Sequence, residues 1–224
     1  MNIKVLYEDN HLIAVYKPAG VLVQDDITGD ESLMDQVKKY LKEKYQKPGN
    51  VFLGLVHRLD RPVSGVVLFA KTSKGAARVS EQFRERAVAK TYHAWVEGVP
   101  AEKKATLNNY IVKDENMGKA FVYDEEEKGS LSAVLSYEVV GKEEYNSKTF
   151  SCLKISLGTG RFHQIRAQLA HMGHPIAGDF KYGALRSLTD QSIKLCATSL
   201  EFVTATTDER KIVSVDVPPL LPLN

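Results

Sequence analysis

Along this chain, apolar residues alternate with polar ones in short runs more often than they recur at helical spacing. The first two runs, residues 3–7 and 12–16, read as strands joined by the turn-forming pair Asp9-Asn10. Lys17-Pro18-Ala19-Gly20 ends the second run, because Pro18 has no amide proton for a central strand and Gly20 permits a turn. Residues 32–45 put Leu33, Val37, Tyr40, Leu41 and Tyr45 on one helical face, with Asp30 or Ser32 as N-cap. Pro48-Gly49-Asn50 breaks the chain before a strand at 51–56, and a more apolar strand follows at 66–70. A second helix is predicted over 74–87, capped by Ser73, with Ala76, Val79, Phe83 and Ala87 at helical spacing. Residues 91–96, 131–140 and 150–157 read as half-buried strands. Residues 101–130 carry the weakest apolar periodicity and are predicted to form a peripheral excursion. The C-terminal third adds a helix at 162–172, ended by Gly173, and strands near 193–197 and 211–217.

Strands outnumber helices and do not alternate with them regularly, which predicts an α+β fold built on a large, mostly antiparallel sheet. The 224 residues suit one domain, with two small lobes as the variant reading. A content of 43% hydrophobic and 26% charged residues is that of an ordinary globular protein. No run approaches bilayer length and the first residues lack a signal-peptide core, so a cytoplasmic protein without membrane contact is expected. Cys152 and Cys196 lie in apolar segments without metal-ligand spacing and are expected to be buried free thiols. Nothing in the pattern sets the oligomeric state, and a monomer is the default. The net charge of +2 is unevenly spread. Residues 71–93 hold six basic and two acidic side chains, residues 154–186 five and one, and residues 114–128 two and six. Such polarisation suits either a polyanion-binding surface or simply solvated faces.

Two segments carry candidate chemistry. In His57-Arg58-Leu59-Asp60-Arg61-Pro62-Val63-Ser64-Gly65 a carboxylate sits between two arginines, just before a buried strand. Asp60 is either a catalytic anion or a turn-stabilising residue, and Ser64-Gly65 most simply forms a tight turn. Ser64 lacks the Gly-x-Ser-x-Gly setting of a nucleophile. In Gly158-Thr159-Gly160-Arg161-Phe162-His163-Gln164-Ile165-Arg166 a glycine-containing loop opens a helix, offering amide groups to an anion or forming an ordinary surface helix. Ile165, Leu169 and Met172 would share its apolar face, and His163, Arg166 and Ala170 a different one. His163, His171 and His174 lack a completing Cys or carboxylate set, so no metal is expected, and Gly158-x-Gly160 is too short for a dinucleotide fingerprint. Tyr92, in Lys90-Thr91-Tyr92-His93, is either core or a stacking platform for a base.

Taken in order, these segments resemble the RluA-type pseudouridine synthases, whose signature is HRLD-x-x-T-S-G. The resemblance also covers Lys17-Pro18-Ala19-Gly20, Lys90-Thr91-Tyr92, Gly160 to Arg166, and Gly173-His174-Pro175-Ile176-Ala177-Gly178-Asp179, across roughly residues 5–200. Val63 stands where the family has Thr, and Tyr16 where it has Asn. The resemblance implies a pseudouridine synthase fold, a mixed, mostly antiparallel sheet flanked by helices and loops around a central active-site cleft. It implies isomerisation of a uridine in tRNA or rRNA after base flipping, with no cofactor and no metal, since substrate and product are isomers. Asp60 matches the catalytic aspartate, Tyr92 the tyrosine that stacks on the target base, and Arg166 the arginine that pairs with the aspartate. Arg58 matches a motif arginine that handles the target nucleotide, and Arg61, Lys90, Arg161, His163 and Gln164 are expected RNA contacts. The catalytic pattern begins by residue 5, so an N-terminal S4 RNA-binding domain is not expected, and the basic segments take over RNA selection. The alternative is an inactive RNA-binding protein on the same fold. A nucleoside hydrolase would use paired carboxylates, and only one stands in a convincing setting.

Overall fold

The computed structural model describes residues 3–220. In chain order it contains β1 (Val5–Glu8), β2 (Leu12–Lys17), α1 (Leu33–Lys44), β3 (Gly54–Leu55), β4 (Ser64–Ala70) and α2 (Ser73–Arg84). There follow β5 (Ala89–Glu97), β6 (Lys104–Asp114), β7 (Lys119–Tyr123), β8 (Leu131–Tyr145), β9 (Lys148–Leu157) and α3 (Gln164–His171). A short 3-10 turn at Phe180–Tyr182, β10 (Leu195–Val203) and β11 (Arg210–Ser214) complete the described chain. This is an α+β protein, rich in strands as the alternating pattern predicts. It divides into two compact units, one running to Ala89 and including Ala197–Asp216, the other formed by Lys90–Cys196 and the residues from Val217.

In the first unit the strand order is β1-β2-β4-β10, with β3 on β4 and β11 on β10. β2 and β4 run antiparallel from Leu12↔Ala70 to Lys17↔Gly65, which sets the Lys17-Pro18-Ala19-Gly20 turn beside the loop that precedes β4. Leu12, Ala14, Val66, Leu68 and Ala70 join Leu200 and Phe202 of β10 and Val79 of α2 in one core cluster. Each such Val, Leu or Phe, once fully buried, contributes about 1.5–3 kcal/mol from lost water contact. Ser32 caps α1 through a reciprocal capping box with Asp35, and Leu33, Val37 and Leu41 face the core. The expected cap of α2 is corrected: Thr72, not Ser73, accepts the Gly75 amide, and the helix ends at Arg84 because Arg86 turns to φ 60°. The strand expected at 51–56 shrinks to the two residues of β3. Gly54 already brings its backbone so near α2 that a Cβ would lie 3.1 Å from the Ala76 Cβ.

In the second unit the order is β5-β9-β8-β6-β7. β5–β9, β9–β8, β8–β6 and β6–β7 are all antiparallel. β8 and β9 form a long hairpin whose two turn residues, Asn146 and Ser147, have φ 50° and 59°, as a twisted two-residue turn demands. The excursion expected at 101–130 is corrected, because it holds β6 and β7. These strands pack on one face only, and Thr106 and Asn108 turn outward, which diluted their apolar signal. The two-faced helix expected near 162–172 is also corrected: every residue from Gln164 to Leu169 of α3 is buried, polar ones included. Its predicted stop at Gly173 holds, with φ 86° and its amide on the Ala170 carbonyl. Cys152 and Cys196 are both buried, each with its sulfur as a thiol. No helix among the described residues is long and apolar enough to cross a membrane.

One polar cluster pins α1 to the edge of its sheet. Glu8 receives hydrogen bonds from Lys44 (2.7 Å), Lys71 (2.7 Å), Tyr45 (2.7 Å) and Tyr40 (3.3 Å). Burial alone would raise the pKa of this carboxyl, but the bonds from Lys44, Lys71 and Tyr45 outweigh it and bring it down to about 2. A depressed carboxyl adds stability above its unfolded pKa of about 4.3 and loses it as pH falls towards the folded value. Urea midpoints measured from pH 5 to pH 2 should therefore fall more steeply for the native protein than for Glu8→Gln.

Candidate active site

The loop at residues 56–63 is held to the core by Leu59 and Val63. Leu59 and Val63 are buried, at 7% and 3% exposure, whereas Arg58 and Arg61 point to solvent and Asp60 is half-buried between them. His57 is a strut: its Nε2 accepts the Leu68 amide at 2.9 Å and its ring stacks on Phe83 of α2 at 4.8 Å. The Asp60 carbonyl accepts the Val63 amide in a tight turn, so the carboxylate sits on a short, braced stretch of backbone. Gly65 does more than form the expected turn into β4. At φ 128° it lets β4 approach β10 so closely that a Cβ would lie 2.3 Å from the Ala197 carbonyl oxygen.

Beneath this loop lies a feature that the sequence reading left without a role. Lys17 is completely buried, and its ammonium donates to the carbonyls of Pro18 (3.1 Å), Val21 (2.7 Å) and Arg61 (3.0 Å). Three donors thus meet three acceptors, tying the turn after β2 to the residue next to Asp60. Burial pulls the Lys17 pKa down to about 7, while the negative charge of Asp60 works in the opposite direction. Arg61, an expected RNA contact, donates to the Gly20 carbonyl (3.0 Å) and to Asp30 (2.6 Å) from a half-exposed position.

In the second unit, Arg166 of α3 is the centre of a buried cluster. Its Nε and Nη2 grip Asp179 in a fork, at 2.7 and 2.9 Å, with side-chain exposures of only 6% and 1%. Nη1 lies 3.1 Å from His163 Nε2, and the guanidinium stands 5.0 Å from the Tyr182 ring centroid. Arginine nitrogens only donate, so His163 Nε2 is the acceptor and its Nδ1–H points to the Tyr182 hydroxyl at 2.9 Å. His163 stands in the left-handed conformation, φ 51°, immediately before α3. In sequence Asp179 closes a motif with no task evident, and nothing singles out Tyr182. A buried arginine calls for a counter-charge, but sequence does not say which of many carboxylates supplies it.

The remaining expected contacts separate by burial. Gln164 is 3% exposed and its amide is used inside, accepting from Thr159 (2.8 Å) and the Arg161 amide (2.9 Å) and donating to Val134 (3.1 Å). It builds the loop, and the Arg161 amide that was a candidate anion donor is satisfied by it. Arg161 itself is held by the Ser132 carbonyl at 2.9 Å. The Lys90 ammonium reaches this loop, 3.5 Å from where a Cβ on Gly160 would be. Tyr92 is 8% exposed, opposite Ile155 of β9, with its ring on the buried side of β5. Of the other histidines, His171 contacts Asp124 and His174 the Glu97 carbonyl.

Removal of a partner from either buried cation has a definite consequence. Asp179→Ala strands a buried guanidinium and should lower stability by about 3–5 kcal/mol, read from the denaturant midpoint, with Asp179→Asn less severe. Lys17→Met takes the ammonium donor from the Pro18 and Val21 carbonyls, at about 1–3 kcal/mol each, while the Arg61 carbonyl keeps the Gly20 amide at 2.8 Å, and should be comparably destabilising in the same measurement.

The family model for RNA pseudouridylate synthase matches residues 11–171, a span that includes Asp60, Tyr92 and Arg166. The chain is 35% identical over 209 residues to tRNA pseudouridine synthase C of Haemophilus ducreyi, covering 86% of this chain and 80% of that protein. It is 35% identical over 180 residues to ribosomal large subunit pseudouridine synthase C of Buchnera aphidicola, covering 80% of this chain and 54% of that one. Human RNA pseudouridylate synthase domain containing 1 has the same fold, with a TM-score of 0.78 at 24% identity over 100% of this chain and 86% of that one. Motif order, fold and relatives converge: the chain belongs to the RNA pseudouridylate synthases, a family of isomerases.

Proposed function

We propose that this protein converts a uridine of tRNA or large-subunit rRNA into pseudouridine, with Asp60 as the catalytic carboxylate. The observation that carries the reading is the placement of Asp60. A half-buried carboxylate sits on a loop braced by Leu59, Val63 and the buried Lys17, a rigid mount for a group that must meet one carbon atom. Relatives named for tRNA and for large-subunit rRNA both support the substrate class, and the choice between them rests on the RNA tested.

In the reaction the N1–C1′ bond breaks, uracil turns, a C5–C1′ bond forms, C5 loses its proton and N1 takes one up. Atoms balance without a redox partner, because the product is an isomer of the substrate. Ionised Asp60 serves either as nucleophile at C1′ or as base at C2′, the latter through a glycal. Arg166 is the counter-charge this reading assigns to that carboxylate, with Asp179, His163 and Tyr182 fixing the direction of the guanidinium. Tyr92 stacks on the detached base, and Arg58 handles the flipped nucleotide. Water kept from C1′ prevents an abasic product.

The test is tritium release from C5-labelled uridine RNA. Asp60→Ala and Asp60→Asn should release none in single-turnover assays while binding RNA within about threefold of the native protein. Normal release by Asp60→Ala would sink the assignment, and free uracil as the product would mean a hydrolase. Arg166→Lys should lower the single-turnover rate by about a hundredfold or more, since a lone ammonium cannot reproduce the forked grip on Asp179.

A further inference from the structure

His163, by its sequence an expected RNA contact, has both ring nitrogens engaged inside the second unit. Arg166 Nη1 donates to Nε2 at 3.1 Å, and Nδ1–H donates to the Tyr182 hydroxyl at 2.9 Å. The Tyr182 oxygen also accepts the Ala120 amide at 2.8 Å. Both of its lone pairs are then used, and its own proton points to neither of these two donors. The chain of bonds therefore has one direction: the ring carries its proton on Nδ1 and offers a lone pair to the arginine. The reverse tautomer would set N–H against N–H across the same 3.1 Å. Phe162 stacks on the ring at 3.8 Å and Tyr182 meets it edge-on at 5.6 Å, which holds the ring against turning away.

That lone pair has a task which Asp179 leaves undone. The fork on Nε and Nη2 locks the guanidinium to one carboxylate, but the two groups can still swing together about the Asp179 side-chain bonds. The bond from Nη1 to His163 stops that swing. A second proton on the ring reverses the contact, because Nε2 becomes a donor and the imidazolium sets a positive charge beside Nη1. The charged groups around the ring are mostly cations. Arg166 lies on α3, Lys113 of β6 stands 5.2 Å from the Phe162 ring, and Lys119 of β7 stands 5.2 Å from the Tyr182 ring. Asp179, the carboxylate of this cluster, is held by the arginine. The His163 ring is half-buried, so a proton can reach it from solvent.

We propose that neutral His163 is a positioning residue of the reaction, acting through Arg166, and that its protonation switches the site off by releasing the guanidinium. The proposal rests on the reading above, in which Arg166 is the counter-charge of the catalytic carboxylate. Pseudouridine formation then loses rate on acidification through the state of an imidazole, at a pH where an ordinary aspartate, of pKa about 4, is still ionised.

The test uses the full chain and follows tritium release from C5-labelled uridine RNA in single turnover from pH 8 to pH 5. His163→Gln is the comparison, since its amide oxygen can accept from Arg166 throughout that range. The native rate should fall by about tenfold per pH unit once the ring is protonated. His163→Gln should start severalfold lower at pH 8, stay flat, and bind RNA as the native protein does. Every other titrating group is common to the two proteins, so the difference belongs to His163. NMR spectra of nitrogen-labelled histidines give a readout that needs no activity. At pH 8 the native protein should show one ring, absent in His163→Gln, with its proton on Nδ1 and a bare Nε2, and that ring should gain its second proton as the rate is lost. A proton on Nε2 at pH 8, an equal acid limb in both proteins, or weakened RNA binding at an unchanged rate in His163→Gln would overturn the proposal, the last by making the ring an RNA contact. If the native protein forms pseudouridine at a rate independent of pH, the switch alone fails; if it forms none at any pH, the enzymatic reading fails and the switch with it.

Discussion

A guanidinium removed from water constrains everything around it. Arg166 is almost wholly buried, and an unpaired charge there would cost several kcal/mol. Asp179 answers the charge, His163 takes the third donor direction, and Tyr182 covers one face. Each answer propagates. His163 holds its place from a left-handed backbone, Tyr182 is fixed by the Ala120 amide, and the hairpin of β6 and β7 is thereby tied to α3. The polar face of α3 is buried because its polar groups are answered one by one. Gln168, at 1% exposure, bonds Asn109 and the Ala133 carbonyl.

The first unit solves a similar problem with other groups. Lys17 is buried with three carbonyls in place of a carboxylate bonded to it, and those carbonyls belong to the turn after β2 and to Arg61. The effect is to stiffen the backbone next to Asp60 while leaving that carboxylate on the surface of the unit. Rigid support under a half-exposed anion is what a reaction at a single carbon requires, because misplacement of about 1 Å is enough to cost a hundredfold in rate. Gly65 adds the last constraint, since its missing side chain is the space in which the Ala197 backbone lies.

Strands with one apolar face, the capped helix α1 and the Gly173 stop were all legible in the sequence, because each is decided by neighbours within a few positions. The loop of Asp60 was legible as a candidate and its family by the order of motifs. What was not legible came from long-range pairing. The β6–β7 hairpin hides in a segment where outward Thr106 and Asn108 and exposed charges interrupt the apolar alternation, and α3 looks two-faced in sequence because buried glutamines and arginine imitate a solvent face. Asp179 lies thirteen positions from Arg166, a separation no helical or strand period connects. Gln164 resembled an RNA contact for the same reason: polarity in sequence does not distinguish a group that faces solvent from one bonded inside.

The central claim is that this chain makes pseudouridine by means of Asp60. The most direct measurement is a pseudouridine map of total RNA from cells with the gene, without it, and without it but expressing Asp60→Asn. The account requires at least one tRNA or large-subunit rRNA position modified only when the native protein is present. A site that persists with Asp60→Asn as the sole copy, or identical maps in all three strains, would contradict it.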